Sequence, residues 1–474
     1  MQVHIQGGDV HLLDLRTRMP FKYGIATMTH TPHAFVRLWV EVRGQPAVGV
    51  AADHLPPKWF TKDPARPVAE EVGDMLRVIE HAVGAAAGLT AGSPFKAWRR
   101  LDDLQSAWGR DEALPPLLTQ FGTSLVERAL IDAVCRRTGH TFADALRADD
   151  FGILTEDGAP VADGLPSPLR QITLRHTVGL ADPLEDADIP PAERLADGLP
   201  QSLAACIRAY GLRHFKIKVN GDRDHDAARL RRAAGVIAAH APADFAFSLD
   251  GNEQFRRPDD FRAYWSDLTH DPALSRFFEH LLFVEQPFHR DIALRKEAVG
   301  AFADWSDRPP VIIDESDAEV DSLARALELG YAGTSHKNCK GVFKSVLNAC
   351  LLARLRRAEP NRRFILSGED LANIGPVALL QDLAVCASLG IDSVERNGHH
   401  YFAGLSMFPR EVQEAMLAAH GDLYHPSQHG WPTLTVRDGW LDLSSVLAAP
   451  FGVAPLVPVE QFTPLDAWRQ AHPG

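Results

Sequence analysis

The sequence contains few cysteines and no excess of positive charge, and each shortage excludes a class of protein. Only five of the 474 residues are cysteines, and none of them are spaced as Cys-x-x-Cys. This argues against a disulfide framework and a structural zinc site, and it suits reduced thiols. Acidic residues outnumber lysine and arginine by 62 to 49, which leaves a net charge of −13. Nucleic-acid-binding proteins present a basic face, so no nucleic-acid partner is predicted.

Long apolar runs are also lacking. No stretch approaches the roughly 18 consecutive apolar residues that a membrane-spanning helix needs, so no membrane partner is predicted. The segment 1–13 has no basic region followed by an apolar one, and we therefore expect no signal peptide. Together with the unpaired cysteines, these features predict a cytoplasmic protein.

The periodicity of the apolar residues predicts three regions. Alternation over residues 34–42 indicates a strand, helical periodicity follows, and residues 1–148 are predicted to form an α+β domain. Over 149–425, eight short strands and intervening helices recur at about 25–35 residues, which is typical of a closed parallel (β/α)8 barrel. The alternative is an open doubly wound sheet, but no Gly-rich phosphate turn follows the first strand at Val178. The Pro-rich tail 426–474 is predicted to return to the N-terminal domain.

Three successive barrel strands end in an acidic residue. By strand alternation Asp250, Glu285 and Asp314 face the interior, where catalytic groups of such barrels lie. Asn252 shares the face of Asp250, and Glu315 is predicted to face away. Three carboxylates in one mouth repel each other unless a cation lies between them. Oxygen donors without Cys or His indicate Mg²⁺, with Mn²⁺ as the alternative.

Lysines are predicted on two sides of the same mouth. Lys216 and Lys218 share the interior face of one strand, and Lys337 follows a strand across the barrel. Neighbouring ammonium groups and burial lower the pKa of a lysine, which allows it to act as a base near neutral pH. A base on each face of a metal-held substrate suits removal and return of a proton. The competing interpretation is a pair of solvated lysines at a strand end.

In this order, the motifs resemble those of the enolase superfamily, in the branch that contains muconate lactonizing enzyme. The branch has the motifs KxK, DxN, EQP, DES and KxxK-Gly. The matching segments are Lys216-Ile217-Lys218, Asp250-Gly251-Asn252, Glu285-Gln286-Pro287, Asp314-Glu315-Ser316 and Lys337-Asn338-Cys339-Lys340-Gly341. The segment 20–24 is similar to the family's mobile substrate loop.

The resemblance implies a (β/α)8 barrel with an α+β capping domain formed by the N-terminal segment and the C-terminal tail. It also implies a homo-oligomer that removes the α-proton of a small-molecule carboxylate through an enediolate. The implied roles are Mg²⁺ ligation by Asp250, Glu285 and Asp314, acid/base chemistry by Lys218 and Lys337, and substrate binding by Lys216, Tyr23 and His54. Segments 17–30 and 54–60 would close over the pocket. Secondary candidates are Asn252, Glu315, Lys340 and His399; a single glycine after Lys340 leaves that lysine as an alternative second base.

Several reactions stay open at this point. A racemase or epimerase uses both lysines, and a cycloisomerase likewise protonates a carbon. The alternative within the superfamily is a dehydratase or o-succinylbenzoate synthase, in which one lysine suffices for syn elimination. Two other classes are a metal-dependent barrel hydrolase, which commonly uses His ligands, and a catalytically silent binding relative. Fold alone does not separate them.

Overall fold

The computed structural model describes residues 1–23, 25–155, 158–296, 302 and 305–472. Gly24, the last residue of the predicted substrate loop, lies outside the described residues. Among the described residues, no helix combines the length and the apolar character needed to cross a bilayer.

The N-terminal region is built on an antiparallel sheet. Its strands lie in the order β16-β1-β2-β3, and β4 also pairs with β1. The strand predicted over 34–42 lies within β2. The bounds are β1 Val3–Tyr23, β2 Ala26–Val42, β3 Gln45–His54, β4 Thr90–Ala91 and β16 Thr463–Pro464.

Helices cover this sheet and connect it to the barrel. The helix Pro116–Thr138 packs closely on β3 at Gly49, where an added Cβ would lie 2.0 Å from the carbonyl oxygen of Ala129. Only glycine permits this approach. The helix ends at Gly139, which adopts a φ of 73°. The helices of this region are Pro57–Phe60, Val68–Ala86, Pro94–Asp111, Pro116–Thr138 and Phe142–Arg147.

Eight parallel strands then form a closed barrel. Each strand pairs with the next along the chain, and β12 pairs with β5 to complete the ring. The predicted closed barrel is therefore confirmed. The strands are β5 Gln171–Val178, β6 His214–Lys218, β7 Ala246–Asp250, β8 Leu281–Glu285, β9 Val311–Ile313, β10 Gly333–His336, β11 Ile365–Gly368 and β12 Ser393–Arg396.

The barrel helices lie between these strands and after the last one. They are Leu203–Tyr210, Arg223–His240, Pro258–Thr269, Ser275–Phe278, Arg290–Ala293, Ser322–Glu328, Val342–Ala358, Ala378–Leu389, Gly398–Tyr401 and Arg410–Ala419.

The C-terminal tail contacts both the barrel and the N-terminal sheet. The strand β15 runs antiparallel to the start of β5, and β16 pairs with β1. The ring of Phe462 stacks on that of Phe35 with centroids 4.3 Å apart. The boundaries at residues 148 and 425 stay predictions. The remaining elements are β13 Tyr424–Pro426, β14 Pro432–Leu434, β15 Trp440–Asp442 and the helices Ser444–Ala448 and Leu465–Ala471.

Two adjacent charged residues of the helix Pro116–Thr138 join the cap to the barrel. Arg128 is fully buried and donates to the carbonyl of Ala52 at 2.8 Å. Glu127 accepts from the backbone N–H groups of Val342 at 2.9 Å and Phe343 at 2.6 Å, where the helix after β10 begins. This helix therefore fixes the sheet and the barrel mouth relative to each other.

Candidate active site

The three predicted metal ligands lie at one mouth of the barrel. Asp250 and Glu285 are the last residues of β7 and β8 and stand opposite each other in the strand register. Asp314 directly follows β9. The carboxyl ends of parallel strands meet at the same end of a barrel, so the three side chains share this mouth. All three residues are at most 1% exposed.

Lysine ammonium groups neutralise two of these acids. Lys218 Nζ lies 2.5 Å from Asp250 Oδ2, and Lys337 Nζ lies 2.5 Å from Asp314 Oδ2. Burial lowers the pKa of Lys337, but the Asp314 carboxylate outweighs it and holds that pKa above its ordinary value. In this arrangement Lys337 carries a proton.

The donor set suits a hard divalent cation. Asp250, Glu285 and Asp314 offer only oxygen atoms, the ligands that Mg²⁺ and Mn²⁺ prefer. Buried Glu285 Oε2 accepts no hydrogen bond, but it forms an ion pair with Lys216 Nζ, 2.8 Å away. Burial, together with the Asp250 and Glu369 carboxylates, raises the pKa of Glu285 well above its ordinary value. The Lys216 ammonium lowers this pKa without offsetting the rise, so a further cation would favour the ionised form of Glu285.

Cation binding would require the lysines to move. Among the described residues, the carboxylate oxygens of these three acids do not come within 4.8 Å of one another as a set. The ammonium groups of Lys218 and Lys337 lie against Asp250 and Asp314. A cation would therefore replace ammonium groups as the counter-charge of these acids.

The ammonium group of Lys216 is engaged by acids of the barrel interior, and its contact with substrate stays a prediction. Lys216 is 1% exposed, and its ammonium group donates to Glu285 at 2.9 Å, Glu369 at 2.8 Å and Glu395 at 3.0 Å. Asp250 lies 3.0 Å away as a fourth carboxylate. A lysine ammonium has three donors, and these bonds use all of them. Lys216 is therefore the shared ion-pair partner of these four acids in the barrel interior.

Sequence reasoning missed two of these acids, although the strand-end rule applies to both. Glu369 directly follows β11, and Glu395 lies in β12. Arg175 of β5 binds the Glu369 carboxylate and donates to the carbonyl of Gly368 at 3.0 Å. Among the described residues, at least five acids rather than three therefore face the interior at this end.

A small cavity of about 40 Å³ lies above the acids. Lys337 extends into it and places its ammonium 4.1 Å from the centre of the Trp59 ring, a cation–π distance. The predicted lid segments 17–30 and 54–60 supply most of the apolar part of the wall. The lining residues are Phe21, Tyr23, Met28, Pro56, Trp59, Lys216, Lys218, Asn252, Lys337, Asp370, Leu371, Ala372, Glu395 and Asn397.

Lys340 is directed away from this cavity. After β10 the residues Asn338–Lys340 form a tight turn, which separates the directions of Lys337 and Lys340. Lys340 Nζ is buried and donates to Ser335 at 2.7 Å and to Asp314 at 3.1 Å. Of the two candidate second bases, Lys337 alone lines the cavity.

Three other candidates take different positions from those expected. His54 is buried between His33 and the carbonyl of Ala372, each 3.1 Å away, and it does not line the cavity. Its side chain is directed into the contact between the sheet and the barrel.

Glu315 does not face away from the mouth. Its carboxylate lies 3.3 Å from Lys62 and 3.4 Å from the amide nitrogen of Asn252. The strand ends at Ile313, so strand alternation does not extend to this residue.

His399 lies outside the cavity, behind the barrel wall. Its Nε2 is 3.1 Å from Nδ1 of His176. His176 belongs to the outward face of β5, since Arg175, its neighbour, faces the interior.

Comparison with known proteins shows the fold. No family model and no curated protein sequence matches the chain. A dipeptide epimerase from Enterococcus faecalis, complexed with Mg and the dipeptide L-Leu-L-Tyr, is a structural match with a TM-score of 0.60 and 16% identity, over 95% of this chain and 99% of that one. A muconate lactonizing enzyme from Pseudomonas fluorescens, complexed with muconolactone, matches with a TM-score of 0.59 and 17% identity, over 93% and 94%. An enolase from Bradyrhizobium, complexed with magnesium and mandelic acid, matches with a TM-score of 0.57 and 14% identity, over 93% of each chain.

The chain has the fold of these enzymes. The matches cover nearly the whole length of both partners, so they include the capping region as well as the barrel. The barrel with an α+β cap, expected from the motifs, is therefore confirmed.

Proposed function

We propose that the protein is an enzyme of the enolase superfamily, in its mandelate racemase/muconate lactonizing enzyme family. It would remove the α-proton of a small-molecule carboxylate in a racemase, epimerase or cycloisomerase reaction. The observation that carries the proposal is the placement of Lys218 and Lys337. They come from β6 and from the end of β10, four strands apart in a ring of eight, and both line one cavity above buried acids.

The acids are proposed to bind Mg²⁺, with Mn²⁺ as an alternative. When held by Asp250, Glu285 and Asp314, the ion would supply the positive charge that stabilises a carboxylate as its α-proton leaves. Its charge would also replace that of the lysines, and a nearby cation lowers the pKa of an ammonium group. Metal binding would therefore break the ion pairs Lys218–Asp250 and Lys337–Asp314.

Each lysine serves one face of the substrate carbon. One neutral lysine takes the α-proton, so the C–H bond breaks and an N–H bond forms. The opposite lysine, which is protonated, donates its proton to the other face of the same carbon. The carbon is inverted and the two lysines exchange protonation states. Trp59 and Tyr23 cover the cavity and exclude water from the reacting carbon.

Proton exchange in D₂O tests this proposal. The protein with Mg²⁺ is incubated with pools of acid sugars, dipeptides and N-acyl amino acids, and the α-proton signal is followed by NMR. Exchange with only a stereoisomer as product indicates a racemase or epimerase. A dehydrated product indicates the single-lysine elimination instead.

Variants of the two lysines identify their faces. Lys218→Ala is expected to abolish exchange of one stereoisomer, and Lys337→Ala that of the other, since each base reaches one face. Removal of the metal with EDTA should abolish both. Exchange that persists when both lysines are replaced would contradict the proposal. A homo-oligomeric state and a cytoplasmic location stay predictions.

A further inference from the structure

A second cluster of metal-ligating side chains lies behind the barrel wall. It consists of His176 on β5, Cys206 on the helix Leu203–Tyr210 and His400 on the helix Gly398–Tyr401. One potential ligand atom of each lies within 4.8 Å of the others. The three residues are at most 3% exposed. We infer that these three residues form a site for a divalent metal ion that accepts both nitrogen and sulfur ligands, and that this ion is Zn²⁺.

The donor separation fits tetrahedral zinc. Cys206 Sγ lies 3.5 Å from Nδ1 of His400. In a tetrahedral site, zinc–sulfur and zinc–nitrogen bonds of about 2.3 Å and 2.0–2.1 Å put sulfur and nitrogen about 3.5 Å apart. A thiol hydrogen bond has a similar length, so the outer contacts of the histidines provide the further argument.

Each histidine also faces a polar group outside the cluster. His400 directs Nδ1 at the thiol and Nε2 toward Asp182, whose carboxylate is 4.0 Å away. Asp182 is itself held by the hydroxyl of Tyr401 at 2.5 Å. His176 contacts His399 through Nδ1 at 3.1 Å. Metal-ligating histidines commonly direct their second nitrogen at a carboxylate, a carbonyl or water. Asp182 offers such a carboxylate to His400, whereas the partner of His176 is another imidazole.

The protonation states suit ligation. Burial lowers the pKa of His176 to about 3 and that of His400 well below its ordinary value, so both rings are neutral. Burial raises the pKa of the Cys206 thiol, so only the charge of a bound ion would release its proton. The nearby guanidinium of Arg18 is paired with Asp197 at 2.6 Å, so its charge is compensated.

Another cluster of three ligand-type side chains differs from this one, because an arginine already balances its negative charge. His336, Asp382 and Cys386 also offer three close ligand atoms. There, however, Asp382 is ion-paired with Arg396, which already supplies a cation. Cys386 therefore provides a matched control for Cys206, since both thiols are buried next to a histidine.

The position indicates a structural role. β5 and β12 are the first and last barrel strands, and they pair where the ring closes. His176 lies on β5 and His400 follows β12, so one ion would connect the two sides of that closure. The site is separated from the predicted Mg²⁺ site by the barrel wall, and the inference does not depend on the proposed reaction.

Cobalt spectroscopy of the full chain tests the inference. The protein is stripped with a chelator, saturated with Mg²⁺ to fill oxygen sites, and titrated with Co²⁺. We expect one cobalt per chain with a thiolate-to-cobalt charge-transfer band and tetrahedral d–d bands, both abolished by Zn²⁺. Cys206→Ser should lose the charge-transfer band, and Cys386→Ser should keep it.

A stability measurement gives a second, independent result. Zinc at about 100 times its Kd should raise the Tm of the stripped wild type by about 3 °C, and should not raise that of Cys206→Ser. If Cys206→Ser does not fold, His400→Gln replaces it in both experiments. Absence of a charge-transfer band in the wild type, or its persistence in the folded variant, would overturn the inference.

Discussion

Replacement of Lys216 by methionine tests the electrostatic account of the barrel interior. The substitution keeps most of the side-chain volume but removes the one ammonium group that lies within 3.0 Å of Asp250, Glu285, Glu369 and Glu395. These acids are at most 1% exposed, so water does not replace the lost charge.

The expected loss of stability is large. Removal of one partner from a buried ion pair costs about 3–5 kcal/mol, because the remaining charge is left uncompensated. An unfolding entropy of about 2.1 cal/mol/K per residue gives about 1 kcal/mol/K for a chain of this length, so Tm should fall by about 3–5 °C. Mg²⁺ should restore part of this loss, since the cation supplies positive charge to the same acids.

Thermal unfolding followed by circular dichroism measures the effect, with and without Mg²⁺. Lys218→Met is the matched control and should cost less, since Asp250 keeps Lys216 at 3.0 Å. Adding Glu395→Gln to Lys216→Met should recover part of the loss, because one uncompensated anion is removed. A Lys216→Met variant within about 1 °C of the wild type, in the absence of metal, would refute the reasoning.

Three further predictions concern the two lysines after β10 and the contact between cap and barrel. Lys337→Met should abolish proton exchange of one substrate stereoisomer. Lys340→Met should lower Tm through loss of its buried pair with Asp314, while the folded fraction still exchanges both stereoisomers. Equal loss of exchange in the two variants would contradict the assignment of Lys337 as the second base. Gly49→Ala should lower Tm by about 1–3 °C because its Cβ meets the backbone of the packed helix. Gly73→Ala is the control and should leave Tm unchanged or raise it, since nothing lies within 4 Å of its added Cβ. Similar Tm shifts for both variants would refute the close packing at Gly49. Burial raises the pKa of Glu127 from 4.5 to about 7, so the folded chain binds this proton more tightly than the unfolded chain. Its stabilising contribution is therefore fully present below pH 4.5 and is lost as the pH rises through about 7. Glu127→Gln should gain about 2.5 kcal/mol relative to the wild type between pH 5 and pH 8, seen as diverging Tm profiles. Parallel Tm profiles would show that the raised pKa is wrong.

The barrel could be predicted from the sequence because its signals are local. Strand periodicity requires only neighbouring residues, and the eight predicted strands correspond to β5–β12 within a few residues. The interior direction of Asp250 and Lys218 follows from the same alternation. Where a strand ends, as before Glu315, the rule no longer applies.

Side-chain partners could not be predicted in the same way. Lys337 and Lys340 are three residues apart, and the turn between them decides which lysine reaches the cavity. The partners of Lys216 include Glu369 and Glu395, which are 153 and 179 residues distant in sequence. No local pattern links such residues, so the role of Lys216 required the closed barrel.

Local sequence patterns were enough to predict the strands, the barrel, and three acids and two lysines at its mouth, because periodicity and strand-end position are properties of short segments. The tertiary structure alone decided how those charges are shared. It also decided that Cys206 lies 3.5 Å from His400, 194 residues away, although no cysteine spacing indicates a metal site. Contacts of this kind arise only when the ring of strands closes and brings the two ends of the barrel sequence together.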